Sequence, residues 1–142
     1  FNFKKEPLEK YTLKVLSGAM KDYLEHENDS LTFVLETKNI SEYGNLTVNL
    51  QNVEKFPVIV ELTNTKGDII ASHYSESTTK IDFFLLEPNL FTLRVIYDDN
   101  KNREWDSGNF LEKKQAEKVI YFPKEIDIRA NWEVDQTFNL KP

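Results

Sequence analysis

Short runs of alternating apolar and polar residues recur along most of this chain, and they restrict the folds that it can adopt. Between residues 45 and 97 such runs follow one another, separated by turn residues roughly every ten positions. A period of two places successive side chains on opposite faces of a β-strand, and no stretch keeps the 3.6-residue period of a helix over three turns. We therefore predict an all-β fold, an antiparallel β-sandwich.

The most regular alternation lies at residues 126–135. Ile126, Ile128 and Trp132 share one parity there, and charged or amide side chains occupy the other. This pattern predicts one continuous strand with one buried face and one solvent-facing face. Trp132 is therefore predicted to lie in the core.

Polar segments separate the predicted strands. Residues 64–67 are predicted to form a tight turn with Gly67 in a left-handed conformation. The segments 17–24 and 111–117 are each predicted to contain a single helical turn. The polar segment 38–44 is the predicted boundary between two domains.

The composition disfavours several functional classes. A net charge of −6 disfavours binding to nucleic acids and anionic membranes. The absence of cysteine excludes disulfides, zinc–thiolate sites and cysteine nucleophiles, and the apolar runs are too short to span a membrane. The two histidines, His26 and His73, lie far apart in sequence and no Gly-x-Ser-x-Gly motif occurs, so we predict that the protein is not an enzyme.

Two motifs resemble those of known families. Residues 86–95, LEPNLFTLRV, are similar to the Leu-x-Pro-Gly-x-Tyr-x-Leu-x-Val signature of transthyretin-like domains, which are also called prealbumin-like or carboxypeptidase-regulatory-like domains. Asn89 replaces the glycine of that signature, and it is predicted to keep the left-handed turn. Residues 97–108 resemble the C-terminal region of large bacterial surface proteins with Ig-like domains. Their loop usually reads Asp-x-Asn-Gly-Asn-Gly-x-Trp-Asp-x-Gly, and Lys101 and Arg103 replace its two glycines here.

The N-terminal part also carries a resemblance, because residues 11–22 are similar to the closing segment of a bacterial Ig-like domain. The resemblances imply that residues 1–38 are the closing strands of a truncated Ig-like domain and that residues 39–142 are a transthyretin-like β-sandwich. They also imply a location outside the cytoplasm: at the bacterial cell surface, attached to the outer membrane as part of a lipoprotein, or in the periplasm. The implied function is that of a non-enzymatic accessory module.

Oxygen-bearing side chains recur at every second residue of the loop after residue 97. They belong to Asp98, Asn100, Asn102, Glu104 and Asp106. Calcium binds six to eight oxygens, and Asp-x-Asn-x-Asn loops wrap such an ion, so these residues are the predicted metal ligands, with Glu104 acting through its carbonyl. Arg103 stands where an EF-type loop needs glycine. The alternative is a hairpin loop in which Asp and Asn make turn hydrogen bonds and Trp105 covers the edge of the core.

A second ligand hypothesis concerns aromatic residues. Trp105, Trp132, Tyr97 and Tyr121 could form a platform for glycans, and the alternative is that they belong to the core. Apart from calcium, no cofactor is predicted.

The predicted partners follow from the domain boundary. The two strands of residues 1–38 lack most of an Ig-like sheet, so we expect them to pair with the edge of the 39–142 sandwich or with another copy of the chain in a dimer. Other domains of a longer parent protein, or a second surface protein, are the further expected partners.

Overall fold

The structure of the protein is a computed structural model that describes residues 6–141, and within this range it forms ten β-strands, one 3-10 turn and no α-helix. The strands are β1 (Lys10–Val15), β2 (Leu31–Glu36), β3 (Gly44–Gln51), β4 (Val58–Thr63), β5 (Ile69–Ser75), β6 (Lys80–Leu86), β7 (Asn89–Tyr97), β8 (Val119–Tyr121), β9 (Ile126–Ile128) and β10 (Glu133–Asn139), and the 3-10 turn is Ile40–Glu42. The predicted all-β fold is confirmed. Residues 6–141 contain no helix that is both long and apolar enough to cross a membrane.

The chain divides into two compact units between Ile40 and Ser41, inside the segment 38–44 predicted as the boundary and two residues after the predicted end of the first domain. In the first unit β1 and β2 pair antiparallel, with Leu13 opposite Phe33. Alternation places six apolar side chains on one face of this hairpin. No side chain between residues 6 and 40 is buried, and Phe33 keeps 50% of its surface exposed.

The predicted helical turn at residues 17–24 is wrong. The chain instead makes an irregular excursion closed by a β-bridge between Lys21 and Glu27. The Asn28 side chain accepts the Met20 N–H at 2.7 Å and donates to the Leu16 carbonyl at 3.0 Å. A single amide side chain therefore supplies hydrogen bonds that a helical turn would have made with its own backbone.

The second unit contains two sheets with a shared core. One sheet has the strand order β10-β3-β6, and the other has the order β5-β4-β7-β8 with β9 paired to the start of β7. Inward side chains of both sheets form one buried cluster. All six residues of β4, the strand between β5 and β7, are buried.

The first sheet is mixed rather than purely antiparallel, because β10 runs parallel to β3. The chain crosses from β9 to β10 through residues 129–132, and this crossing passes directly over Gly44. A Cβ atom at Gly44 would lie 2.5 Å from the Arg129 carbonyl oxygen and 2.5 Å from Ile128 Cγ2. Glycine is therefore required at the start of β3 for the last strand to lie beside it.

The same crossing corrects the prediction of one strand over residues 126–135. The chain leaves the β conformation between β9 and β10, and Asn131 has a φ of 60°. Trp132 lies in this turn with 52% of its surface exposed, so its predicted place in the core is wrong. Ile126 and Ile128 are buried as predicted.

Two predicted turns have opposite outcomes. Gly67 has a φ of 89° and follows Asn64, whose side chain accepts the Lys66 and Asp68 N–H groups, so that prediction is confirmed. The left-handed residue near the 86–95 motif is Leu85, with a φ of 55°. Asn89 begins β7 instead, and the expectation of a left-handed Asn89 is wrong.

Candidate functional site

The loop that carries the predicted calcium ligands starts from the buried end of β7. Tyr97 is fully buried, and its N–H donates to the Lys118 carbonyl at 3.0 Å. The next N–H, of Asp98, donates to the Pro57 carbonyl at 3.3 Å. These bonds carry the sheet one residue beyond β7, so the Asp98 side chain is only 1% exposed.

The buried carboxylate of Asp98 organises the first half of the loop. Its Oδ1 accepts the N–H groups of Lys101 at 2.7 Å and Asn102 at 3.2 Å, and its Oδ2 accepts the N–H of Arg103 at 2.9 Å. A buried carboxylate is costly unless its oxygens are hydrogen-bonded, and backbone N–H groups of the loop meet that need here. Asp98 therefore folds the chain around itself.

Asn100, Asn102 and Asp106 form a second cluster. The Nδ2 groups of both asparagines donate to Asp106 Oδ2, and the distance from Asn102 is 2.8 Å. Their Oδ1 atoms accept backbone N–H groups two residues further on, at 3.0 Å for Asn102 and 2.9 Å for Glu104. Both ends of each amide are thus engaged within the loop, as in successive Asx turns.

This arrangement brings three of the five predicted ligand residues together, Asn100, Asn102 and Asp106, but both amides point hydrogen-bond donors at Asp106 Oδ2. A cation bound between Asp106 and the two asparagines would need both amides to turn their oxygens inward. Across residues 6–141, no three His, Asp or Glu side chains converge so that they could hold a metal ion. As arranged, the donor set does not fit calcium, and calcium binding stays a prediction.

Lys101 and Arg103 adopt left-handed backbone conformations, with φ angles of 64° and 69°. A residue with a Cβ atom is strained in this conformation. The Arg103 guanidinium lies over the ring of Tyr74, 4.8 Å from its centroid. This cation–π contact offsets part of the strain at Arg103.

The surroundings of Tyr74 are electrostatically mixed. Desolvation beside the loop raises the pKa of its phenol above the usual value. The negative charges of Asp98 and Glu76 raise it further, and the positive charge of Arg103 opposes them. The net change in the pKa of Tyr74 is upward, so desolvation and the two carboxylates outweigh Arg103.

Glu117 closes the loop from the other side, and sequence reasoning missed it. Its side chain is 7% exposed, and it accepts the N–H of Asp99 at 2.8 Å and of Asp106 at 3.1 Å. Its backbone N–H donates to the Asp106 carbonyl at 3.1 Å, and its carbonyl accepts the indole N–H of Trp105 at 3.3 Å. Glu117 thus joins the beginning and the end of the loop.

The predicted helical turn at 111–117 is also wrong. Residues 109 and 114 form a reciprocal pair of backbone hydrogen bonds, at 2.8 and 2.9 Å, around a tight turn. Glu117 follows outside any regular element, two residues before β8. A single Glu in a charged segment gives no periodic signal, so nothing in the sequence distinguished it from its neighbours.

The four aromatic residues of the glycan hypothesis do not share one environment. Tyr97 is buried and unavailable to a ligand. Trp105, Trp132 and Tyr121 keep about half of their surfaces exposed, between 49% and 56%. Glycan binding stays a prediction, and the exposed residues that could contact a glycan are Trp105, Trp132 and Tyr121.

Two further carboxylates, those of Glu61 and Asp22, are paired with basic side chains. Glu61 is buried on β4, and its Oε2 accepts a hydrogen bond from Arg94 Nε on β7 at 2.7 Å and forms an ion pair with Arg94 Nη2 at 2.7 Å. In the first unit, Asp22 Oδ2 lies 3.1 Å from His26 Nδ1, and the backbone N–H of His26 holds the pKa of Asp22 below its usual value. Both members of this second pair are more than half exposed, so they close a surface turn.

Comparison of the chain with protein-family models and with curated proteins gives no match. The resemblance to Ig-like surface proteins and to transthyretin-like domains therefore stays a prediction.

Proposed function

We propose that this chain is a non-enzymatic structural module of a bacterial cell-surface or periplasmic protein. One observation carries the proposal: the polar groups of its most chemically suggestive loop are engaged in building that loop. Asp98 accepts three backbone N–H groups and Glu117 accepts two. Carboxylates held in this way fix backbone positions, whereas a general acid or a nucleophile must direct its reactive atom at a substrate.

The sandwich supports the same proposal. One buried cluster joins the two sheets of the second unit. The hydrogen bonds of Asp98 and Glu117 hold the backbone of the long loop between β7 and β8 against this unit. A rigid β-sandwich suits a module that spaces or presents other domains of a surface protein. Its partners would be those domains, or a second surface protein.

Thermal unfolding of the full chain with EDTA, with millimolar calcium and with magnesium tests the proposal. We expect the same midpoint in all three conditions, because a ligand raises the midpoint only by binding the native state. A calcium-specific rise that Asp106→Ala abolishes would overturn the proposal and establish a calcium-binding module. Asp99→Ala is the matched control, because Asp99 lies in the same loop, outside the predicted ligand set, and pairs with Lys55.

Glycan binding is the second candidate function, and the exposure of Trp132 in the β9–β10 turn favours it. Tryptophan fluorescence, titrated with soluble oligosaccharides, provides the test. A saturable change that Trp132→Ala removes would support a glycan-binding module. An unchanged spectrum leaves the structural role.

A further inference from the structure

The second unit begins and ends with neighbouring parallel strands. Seven residue pairs join β3 to β10, from Asn45 with Glu133 to Gln51 with Asn139. Within residues 6–141, β10 lies at the edge of its sheet and β3 is its sheet neighbour. The last strand is therefore attached to the sheet through this one ladder.

From this topology we propose a further function: the β3–β10 pair is a clamp that bears tension along the chain. In a parallel pair the start of one strand and the end of the other lie at opposite ends of the ladder. A pull that enters before β3 and leaves after β10 therefore runs along both strands. All seven pairs are then loaded together in shear, instead of one at a time.

The ladder continues at both of its ends. The Asn45 N–H donates to the Trp132 carbonyl at 2.8 Å, just before β10 begins. The Leu140 N–H donates to the Gln51 carbonyl at 3.0 Å, just after β10 ends. Phe138 and Leu140 are buried in the core, so sliding β10 along β3 would also pull apolar side chains out of their contacts.

Side chains join the same two strands on the outer face. Three asparagine Nδ2 groups of β3 and the residue after it donate across the pair. The bonds are Asn45 to Glu133 at 2.7 Å, Asn49 to Asp135 at 2.7 Å and Asn52 to Asn139 at 2.8 Å. Asparagine is disfavoured in strands, and parallel pairing is slightly weaker per residue than antiparallel pairing. The three amide bonds reinforce a ladder that is intrinsically the weaker kind.

The clamp deepens the proposed structural role, because only a module within a longer surface protein would experience such tension. Its test is independent of ligand binding. A calcium-specific rise in the thermal midpoint would overturn the proposed function without changing the mechanical result. A negative mechanical result would overturn the clamp and leave the structural role in place.

The direction of pulling gives the sharpest experiment. The chain has no cysteine, so pairs of introduced cysteines define where force is applied to the full-length protein. Ile40→Cys with Lys141→Cys loads the ladder in shear, because these residues flank its opposite ends. Ile40→Cys with Ala130→Cys applies force at one end of the ladder and opens it pair by pair. These residues are exposed.

Single-molecule unfolding should require at least about twofold more force in the shear geometry than in the geometry that opens the ladder pair by pair. Forced unfolding is governed by the unfolding barrier, and in shear all seven pairs must break together to cross it. Equal forces in the two geometries would overturn the clamp.

A matched pair of substitutions locates the resistance. Asn49→Ala removes a side-chain bond from β3 to β10, and Thr47→Ala removes one from β3 to Asp82 on β6, at 2.6 Å. Both residues lie on the outer face of β3, and equilibrium unfolding would verify that both variants fold. We expect Asn49→Ala to lower the force in the shear geometry and Thr47→Ala to leave it unchanged. An equal loss in both variants would place the resistance outside the β3–β10 pair.

Discussion

Lys101 and Arg103 show how single residues set the strain of the long loop. Lys101 has a φ of 64° and no cation–π contact like that of Arg103, so Lys101→Gly should relieve its left-handed strain. We expect the free energy of unfolding to rise by up to about 1 kcal/mol, since glycine adopts this conformation without a Cβ clash but loses more backbone entropy on folding. Urea-induced unfolding measures the change.

The control for this substitution is Lys66→Gly. Lys66 lies in an exposed turn at a negative φ, so glycine there relieves no strain and should not stabilise the fold. Arg103→Gly should gain less than Lys101→Gly, because it also removes the stacking on Tyr74. A loss of stability in Lys101→Gly would contradict the assignment of strain to residue 101.

Glu117→Gln tests the residue that closes the loop. An amide has one oxygen, so its NH₂ group would face a backbone N–H that Glu117 now binds. We expect a loss of about 1–3 kcal/mol, the cost of leaving a buried donor without its acceptor. Hydrogen exchange should accelerate at the Asp99 and Asp106 amides.

Glu112→Gln, in the exposed turn before Glu117, is the matched substitution and should be close to neutral. If both variants lost the same stability, the hydrogen bonds of Glu117 would not be what holds the loop.

The sequence indicated where the polar loop lies but not how its side chains point. Spacing at every second residue places oxygens at regular intervals, and it is the same for a cation site and for a chain of Asx turns. Asp98 is buried in the structure, and its burial depends on how β7 pairs with its neighbours. Such a pairing of distant segments leaves no mark in the local pattern.

At the scale of strands, Gly44 controls the crossing that makes β10 parallel to β3. Gly44→Ala would place a Cβ atom 2.5 Å from the Arg129 carbonyl oxygen, a backbone atom that cannot move without shifting the crossing. We expect a loss of about 1–3 kcal/mol from overpacking. Calorimetry measures the loss.

Gly67→Ala is the comparison. It has open space around the added Cβ and only the conformational cost of a φ of 89°. An unaffected Gly44→Ala variant would show that the crossing tolerates a side chain and that another contact fixes the last strand.

The single strand predicted over residues 126–135 is divided by a turn into β9 and β10. Alternation continued through residues 129–132 because Trp132 happens to keep the parity of Ile126 and Ile128. The turn is set by Asn131 in the left-handed region, and asparagine tolerates that conformation better than most residues. A turn residue inside an alternating run was the signal that could have split the strand.

At the scale of the whole molecule, the two units differ in how much they bury. Residues 6–40 bury no side chain, whereas β4 is buried along its full length. A two-stranded hairpin without a buried face is marginal in water. We therefore expect the β1–β2 amides to exchange with solvent at least about 100-fold faster than those of β4, a contrast within the range of local opening free energies.

Hydrogen-exchange mass spectrometry of the full chain measures this contrast, with β5, an exposed edge strand that pairs with β4, as an internal reference. Equal protection in β1–β2 and β4 would show that further contacts stabilise the hairpin in solution, as expected if it pairs with a sheet edge or with a second copy of the chain.

Alternation and turn residues were sufficient to predict an all-β chain, since both signals are local. The parallel neighbour of β3 could not be predicted, because it depends on residues almost ninety positions away.

The parallel placement of β3 and β10 also determines how far this unit carries the chain. Antiparallel first and last strands would return the chain to the side from which it entered. Here the chain enters at one end of the ladder and leaves at the other, so the unit advances it by about the length of a seven-residue strand, roughly 23 Å. The second unit, Ser41–Pro142, therefore displaces the chain in one direction by this distance. Repeated units of this design would separate their neighbours by a fixed length.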